Sequence, residues 1–165
     1  MRLIKLAIIS FIVFFLLITG ISLFIPSHVR ISKATDISAG KDSVLLQIKN
    51  AENWKNWYPG ADTRELLTEN GVTKGIRTGD GQGIVLMEVT DTSVIAGNAA
   101  PGIGKGEMGW NIIPSGDTGV VTVQWYMDFR FRWYPWEKFS SLLLEKRYGP
   151  LMEQGLGSLK KILER

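Results

Sequence analysis

The fold is decided by residues 118–165, TGVVTVQWYMDFRFRWYPWEKFSSLLLEKRYGPLMEQGLGSLKKILER. Over residues 121–131 the odd positions are apolar and the even positions are mostly polar, a period of two that predicts a β-strand with one face in a core. Beyond the aromatic corner at residues 133–136, apolar side chains recur at helical spacing, which predicts an amphipathic helix able to cover that face. We expect Gly149 and Pro150 to break this helix in two.

The composition excludes several classes of function. A hydrophobic content of 45% with six Trp and seven Phe is ample for a packed core in 165 residues. The chain has no Cys and one His, which excludes disulfides, a His-based catalytic triad and a multi-His metal site, and we expect no cofactor and no metal. Two of the 19 basic residues, Arg2 and Lys5, precede an apolar segment. The remainder is nearly neutral, so nucleic-acid binding is not expected.

Residues 6–25 contain no charged side chain. As a helix this segment would extend about 30 Å, the thickness of the hydrocarbon core of a bilayer. The alternative is a cleaved signal peptide, but the apolar run is longer than usual for one and no typical cleavage site follows. We therefore expect a single-pass anchor, with a cytoplasmic tip and transmembrane helix in residues 1–26 and a soluble domain in residues 27–165. Two basic residues before the segment, against two shortly after it, slightly favour a cytoplasmic N-terminus and an extracytoplasmic domain.

The order of elements in the soluble domain follows from changes of period. Alternation over residues 29–37 predicts a first strand, and two short apolar stripes before residue 58 predict two short helices. Six consecutive strands follow, the first two joined by an Asn70-Gly71 hairpin turn. Short connections between strands predict one curled antiparallel sheet of seven strands with helices on one face, an α+β fold.

Four motifs in this order are similar to those of a known family: NWKNWYP at 53–59, VTVQW at 121–125, YGP at 148–150 and GLGSLK at 155–160. The chain resembles the START and birch-pollen-allergen-like superfamily (SRPBCC, helix-grip fold), in particular bacterial members of the polyketide cyclase/dehydrase type with an N-terminal membrane anchor. The resemblance implies that the first strand pairs with the last and that the long C-terminal helix encloses a cavity against the sheet. It implies no shared catalytic set.

A ligand in such a cavity would contact inward-facing apolar residues of the last two strands and of the long helix. The ligand-binding candidates are Trp110, Ile112, Trp125, Met127, Phe129, Leu143, Met152 and Leu156. Ordinary core packing is the alternative for each of them. Gly149, Gly155 and Gly157 are expected to leave room for the cavity.

Alternate connections of a meander lie at the same end of a sheet, so the loops at 79–83 and 101–106 and the corner at 133–136 should form one rim. If the first strand pairs with the last, this rim lies beside the anchor. Trp and Tyr favour the bilayer interface, and Arg can meet lipid phosphates. The side chains predicted to face the membrane are Arg130, Arg132, Trp133, Tyr134 and Trp136. The alternative is an ordinary sheet-to-helix corner.

Two carboxylates are candidates for acid–base chemistry. Asp128 is on the polar face of the last strand and is predicted to be solvated. Glu88 is a weak catalytic candidate, because both faces of its strand are fairly apolar and a buried carboxylate has a raised pKa.

The sequence favours a non-enzymatic, membrane-anchored binding module for a lipid or other hydrophobic small molecule. One alternative is a cyclase- or hydratase-type enzyme in which Glu88, with Tyr126 or Tyr148, moves protons on an enclosed substrate. A second alternative is a membrane-tethered interaction module with a vestigial pocket. The expected partners are the lipid bilayer and the hydrophobic ligand.

Overall fold

The structure, a computed structural model, describes residues 2–78, 83–98, 106–116 and 119–165. The helical elements are α1 Arg2–Ser22, α2 Lys41–Lys49, a 3-10 helix Ala51–Asn56, α3 Pro135–Ser141 and α4 Leu144–Leu163. The strands are β1 His28–Ile37, β2 Leu66–Glu69, β3 Val72–Arg77, β4 Gly83–Val89, β5 Ser93–Asn98, β6 Glu107–Pro114 and β7 Val121–Arg130. The strands form one open antiparallel sheet in the order β1-β7-β6-β5-β4-β3-β2. This confirms the predicted seven-stranded sheet with a long C-terminal helix.

The last strand, β7, is an interior strand of the sheet because it pairs with both β1 and β6. Its odd positions Val121, Val123, Trp125 and Met127 are buried, as the period of two predicts. Pairing with β1 is antiparallel and places Val29 opposite Phe129. The beginning of β1 therefore lies beside the end of β7, as the resemblance implied.

The hairpin between β2 and β3 has the predicted turn. Asn70 has φ 52° and Gly71 has φ 79°, the left-handed pair that a two-residue hairpin of type I′ requires. Asn tolerates this region better than most residues, and Gly has no side chain to oppose it.

The C-terminal helix is interrupted at a different place from the one expected. The interruption lies at residues 142–143, where the amides of Leu142 and Leu143 donate to the carbonyls three residues earlier and tighten the chain into a turn. Helix α4 then continues through Gly149 and Pro150. The carbonyl that Pro150 leaves without its helical partner belongs to Lys146, which is exposed, so solvent can satisfy it.

The prediction that Asp128 is solvated was wrong. Asp128 lies on the outer face of β7 but is only 8% exposed, because Arg30 and His28 of β1 cover it. Arg30 donates from Nε to Oδ1 at 2.8 Å and from Nη2 to Oδ2 at 2.5 Å, and His28 Nε2 lies 3.3 Å from Oδ1. The hydrogen bond from Arg30 is the main cause of a lowered pKa of Asp128.

Candidate functional site

A cavity of about 590 Å³ lies between the inner face of the sheet and the first half of α4. Its apolar walls are the inward side chains of the strands and of the helix, namely Ile84, Met108, Met127, Phe129, Phe131, Leu144 and Leu151. Tyr148 packs on Phe129 with ring centroids 5.1 Å apart. The volume is within the range of about 300–1,000 Å³ that is usual for small-molecule sites.

The cavity occupies one end of the sheet. Thr78, just beyond β3, lines it together with Asn98 at the end of β5 and Gly106 just before β6. The last residues of β7 line it as well, and this is the end of the sheet at which β1 begins. Because α1 ends only a few residues before β1, the cavity lies at the end of the domain where the apolar helix enters.

The other half of the interior is filled by aromatic rings. Trp54, Trp57, Tyr58, Trp110 and Trp125 form a continuous cluster, with the centroids of Trp110 and Trp125 5.5 Å apart. Helix α4 approaches this cluster at Gly155, where a Cβ atom would lie 2.7 Å from Trp125 Cζ3 and 3.0 Å from Pro59 Cδ. The cluster therefore closes the interior at one end and leaves the cavity at the other.

Of the eight ligand-binding candidates, two line the cavity, one is exposed and five are in the core. Met127 and Phe129 line the cavity. Leu143 is exposed at the junction of α3 and α4. The other five are buried in the core without lining the cavity: Trp110, Ile112, Trp125, Met152 and Leu156.

Several lining residues were not candidates from the sequence. Met108 and Ile84 have the inward parity of their strands, so a stricter use of alternation would have included them. Leu151 belongs to the apolar stripe predicted for the C-terminal helix, whereas Leu144 does not. Arg64, which lies in an irregular segment before β2, has no periodic signal at all.

Besides Thr78, Asn98 and Glu107, two tyrosines and two arginines line the cavity, in two pairs. Tyr58 and Arg64 come from the segment that follows the 3-10 helix, whereas Arg147 and Tyr148 come from α4. Burial raises the pKa of Tyr58 to about 12, and the charge of Arg64 acts in the opposite direction. Tyr58 therefore keeps its proton at neutral pH and can donate a hydrogen bond.

The weak catalytic candidate, Glu88, is exposed and lies away from the cavity. A register shift in β4 between Leu86 and Glu88 places Glu88 opposite Ile95, on the outer face of the sheet. Glu107 is the one carboxylate among the described lining residues, and it is paired with Asp128, whose side chain is also on the outer face. Among the residues that the structure describes, no carboxylate has a position from which to transfer a proton inside the cavity.

The predicted rim residues lie between the end of β7 and the start of α3. Trp133 and Trp136 are each 62% exposed, and Tyr134 stacks between them with centroid distances of 4.8 Å and 4.9 Å. Arg130 and Arg132 are exposed. The rest of the predicted rim, in the loops at 79–83 and 101–106, lies largely outside the described residues.

A lysine of α3 is hydrogen-bonded to the segment between α1 and β1. Lys138 is almost fully buried and its Nζ donates to the carbonyl of Ile25 at 2.5 Å and to Oγ of Ser27 at 2.7 Å. Exposed apolar side chains follow both helices or belong to α3, namely Leu23, Phe24, Phe139, Leu142 and Leu143.

Helix α1 itself is long and apolar enough to cross a membrane, judged by its length and composition alone. Among the residues that the structure describes, no cluster of three or more His, Asp or Glu could hold a metal ion.

Comparison with known proteins supports the fold. The sequence model of the family described as polyketide cyclase / dehydrase and lipid transport matches residues 28–164. No curated protein matches the chain. A START superfamily protein from Mycobacterium smegmatis is similar with a TM-score of 0.61 at 16% identity, over 82% of this chain and 97% of that one.

Two further solved structures have the same fold. An uncharacterized protein from Bacillus thuringiensis is similar with a TM-score of 0.61 at 16% identity, over 83% of this chain and all of that one. Norcoclaurine synthase from Thalictrum flavum gives 0.62 at 12% identity, over 83% of this chain and 94% of that one. At these identities the similarity shows the helix-grip fold alone.

Proposed function

We propose, from the premise that the chain belongs to the polyketide cyclase / dehydrase and lipid transport family, that it is a membrane-anchored binding module for a lipid or another hydrophobic small molecule. The observation that carries this proposal is the position of the cavity, which lies at the end of the sheet where the apolar helix enters. A ligand leaving the bilayer there would reach the cavity without crossing bulk water.

Binding is favoured over the two alternatives by the cavity itself. A vestigial pocket would be filled by side chains, whereas about 590 Å³ is available here. Proton transfer of the kind considered for Glu88 would need a carboxylate inside the cavity, and Glu88 faces away from it. Some similar folds are enzymes, as norcoclaurine synthase is, so the family alone does not decide between binding and catalysis.

The membrane part of the proposal combines α1 with the surface next to it. Helix α1 has 21 residues, enough for about 30 Å of hydrocarbon. We infer a single pass with the N-terminus in the cytoplasm and the domain on the other side, supported by Arg2 and Lys5 ahead of the span.

The surface proposed to dock on the bilayer consists of the rim residues and the exposed side of α3. Trp133, Tyr134 and Trp136 are of the type that favours the interface, and Arg130 and Arg132 provide charge for lipid phosphates. Lys138 binds the short segment that follows α1, so a bilayer that holds α1 would also meet α3. The cavity would then open at the level of the head groups.

Docking predicts a selective quenching of fluorescence. All six tryptophans lie outside α1, and only Trp133 and Trp136 are exposed. In vesicles of lipids with brominated acyl chains, the full chain should lose part of its tryptophan emission relative to vesicles of unbrominated lipids. The double variant Trp133→Phe, Trp136→Phe should show no such loss, because its remaining indoles are buried. Equal quenching in both proteins, or none in either, would rule out docking by this rim.

Occupancy of the cavity is tested by the molecules that the chain retains. The full chain, purified from cells in a mild detergent, is expected to carry an apolar small molecule that native mass spectrometry detects and organic extraction identifies. Leu151→Trp should abolish this occupancy, because the larger ring projects from α4 into the cavity. The matched control is Gln154→Trp, on an exposed position of the same helix. Identical ligand content in the two variants would contradict binding in this cavity.

A further inference from the structure

The charged side chains among the described lining residues are two arginines and one carboxylate, Glu107, which belongs to the outer face of the sheet with Asp128. Arg64 and Arg147 line the cavity, and neither forms an ion pair within the part of the chain that the structure describes. Two cations of β1 are neutralised, Arg30 by Asp128 and Lys33 by Glu145 and Glu153. The two cavity arginines have no partner of this kind among the described residues.

Each guanidinium group lies beside a neighbouring residue, Gly60 for Arg64 and Tyr148 for Arg147. Arg64 lies along the backbone at Gly60, where a Cβ atom would be 3.6 Å from Nη2. The amide of Arg64 donates to the carbonyl of Ala61 at 3.2 Å, which fixes the turn from which the side chain projects. The Arg147 guanidinium lies 5.5 Å from the centroid of the Tyr148 ring, a cation–π distance.

Two hydroxyl groups accompany the arginines. Tyr58 and Tyr148 line the cavity and are near enough to influence each other electrostatically. Neither hydroxyl makes a hydrogen bond with any described residue. Tyr58 as a whole residue is 6% exposed, and an acceptor on a ligand would give its hydroxyl a hydrogen bond that no described residue provides.

We propose, on the basis of the binding function proposed above, that the ligand is an anionic amphiphile whose oxyanion head group is bound by Arg64 and Arg147. Guanidinium groups bind carboxylate and phosphate oxygens through paired, charge-assisted hydrogen bonds. Tyr58 and Tyr148 donate to the same head group. The acyl chain extends over Met127, Phe129 and Leu151, the apolar wall between the last strand and the helix.

The shared chemistry of the ligand is a carboxylate or phosphate on an apolar chain. A free anion without an acyl chain is not expected to be bound tightly, since most of the described wall is apolar and makes no favourable contact with it. A neutral amphiphile with the same chain would fill the apolar wall but leave both guanidinium groups without a partner.

The experiment measures the affinity of the full chain, in a non-ionic detergent at fixed ionic strength, for three probes with one acyl chain. The probes are oleate, oleoyl lysophosphatidic acid and uncharged monooleoylglycerol. We expect at least one of the two anions to bind about tenfold or more tightly than the neutral probe. Whether oleate or the lysophosphatidic acid binds more tightly assigns the head group to carboxylate or phosphate. Acetate and inorganic phosphate should not compete.

Variants of the two arginines distinguish binding of the head group from binding of the acyl chain. Arg64→Gln and Arg147→Gln should each weaken anion binding about tenfold and leave monooleoylglycerol unchanged. Arg147 is exposed, so its substitution carries little risk to folding even if that of Arg64 does. The matched control is Lys161→Gln, an exposed cation of α4 away from the cavity, which should change none of the affinities.

The outcomes distinguish this inference from the function on which it rests. Equal affinity of the unmodified chain for all three probes would overturn the anionic head group and leave the apolar binding function standing. An equal loss of affinity for monooleoylglycerol in the two arginine variants would also overturn the anionic head group, because the arginine side chains would then act through packing. Failure of every probe to bind would overturn the binding function itself.

Discussion

Replacing Trp125 with alanine is expected to lower the free energy of unfolding by about 3–5 kcal/mol. The ring is fully buried among Trp57, Tyr58 and Trp110, at centroid distances of 6.1 Å, 5.3 Å and 5.5 Å. Its indole N–H has no hydrogen-bond partner among the described residues. The loss is therefore one of packing, with no hydrogen bond to add to it.

Urea denaturation of the full chain in mild detergent, followed by far-UV circular dichroism, measures this loss. The control is Trp133→Ala, which removes the same side chain from an exposed position and should change the free energy of unfolding by less than about 0.5 kcal/mol. A change below about 1 kcal/mol for Trp125→Ala would mean that the ring borders open space. It would then belong to the binding site and not to the core.

The substitution Gly155→Ala is expected to destabilise the domain by about 1–3 kcal/mol, although alanine is the better helix former. The added Cβ atom would lie 2.7 Å from Trp125 and 3.0 Å from Pro59. Both neighbours are rigid rings, and Trp125 is enclosed by the aromatic cluster. Relief of the clash would require α4 to move away from the sheet.

Gly157→Ala is the matched control, because it makes the same change two residues further along α4. Nothing lies within 4 Å of a Cβ atom at Gly157, so helix propensity alone should raise the free energy of unfolding by about 0.5–1 kcal/mol. Thermal and urea unfolding of the two variants measure the difference. If Gly155→Ala were as stable as Gly157→Ala, α4 would not be in close contact with Trp125.

Most of the fold could be predicted because it follows from the local spacing of apolar residues in the sequence. The alternation from Val121 to Met127 gives the core face of β7, and the Asn70-Gly71 pair gives the first hairpin. The position of the helix break could not be predicted in this way. A proline within a helix is tolerated where the carbonyl it leaves without a partner faces solvent, and that depends on the orientation of α4 in the fold.

The candidate site was predicted less well, because a pattern shows which side chains point inward but not which of them border empty space. Trp125 and Met127 have the same parity, yet Trp125 is in the core while Met127 lines the cavity. The distinction is made by Gly155, which lets α4 approach the sheet at one end only.

Two further differences between the predictions and the structure arise from residues that are distant in the sequence. Asp128 is buried by Arg30, which is 98 positions away in the sequence. Arg64 reaches the cavity from a segment with no regular structure, and only the fold places it and Arg147 at the same cavity. No local sequence pattern around Asp128 or Arg64 indicates these positions.

The central claim, that a membrane lipid or similar molecule enters this cavity, is tested most directly by crosslinking in cells. Cells that make the full chain are fed a fatty acid with a diazirine in its chain, which they incorporate into their own lipids. After irradiation, mass spectrometry of the digested protein locates the crosslinks. We predict crosslinks within residues 127–131 and 144–151, which line the cavity, and their loss in Leu151→Trp but not in Gln154→Trp. Crosslinks confined to α1 and the exposed side of α3 would contradict the claim, because the lipid would then surround α1 without entering the domain.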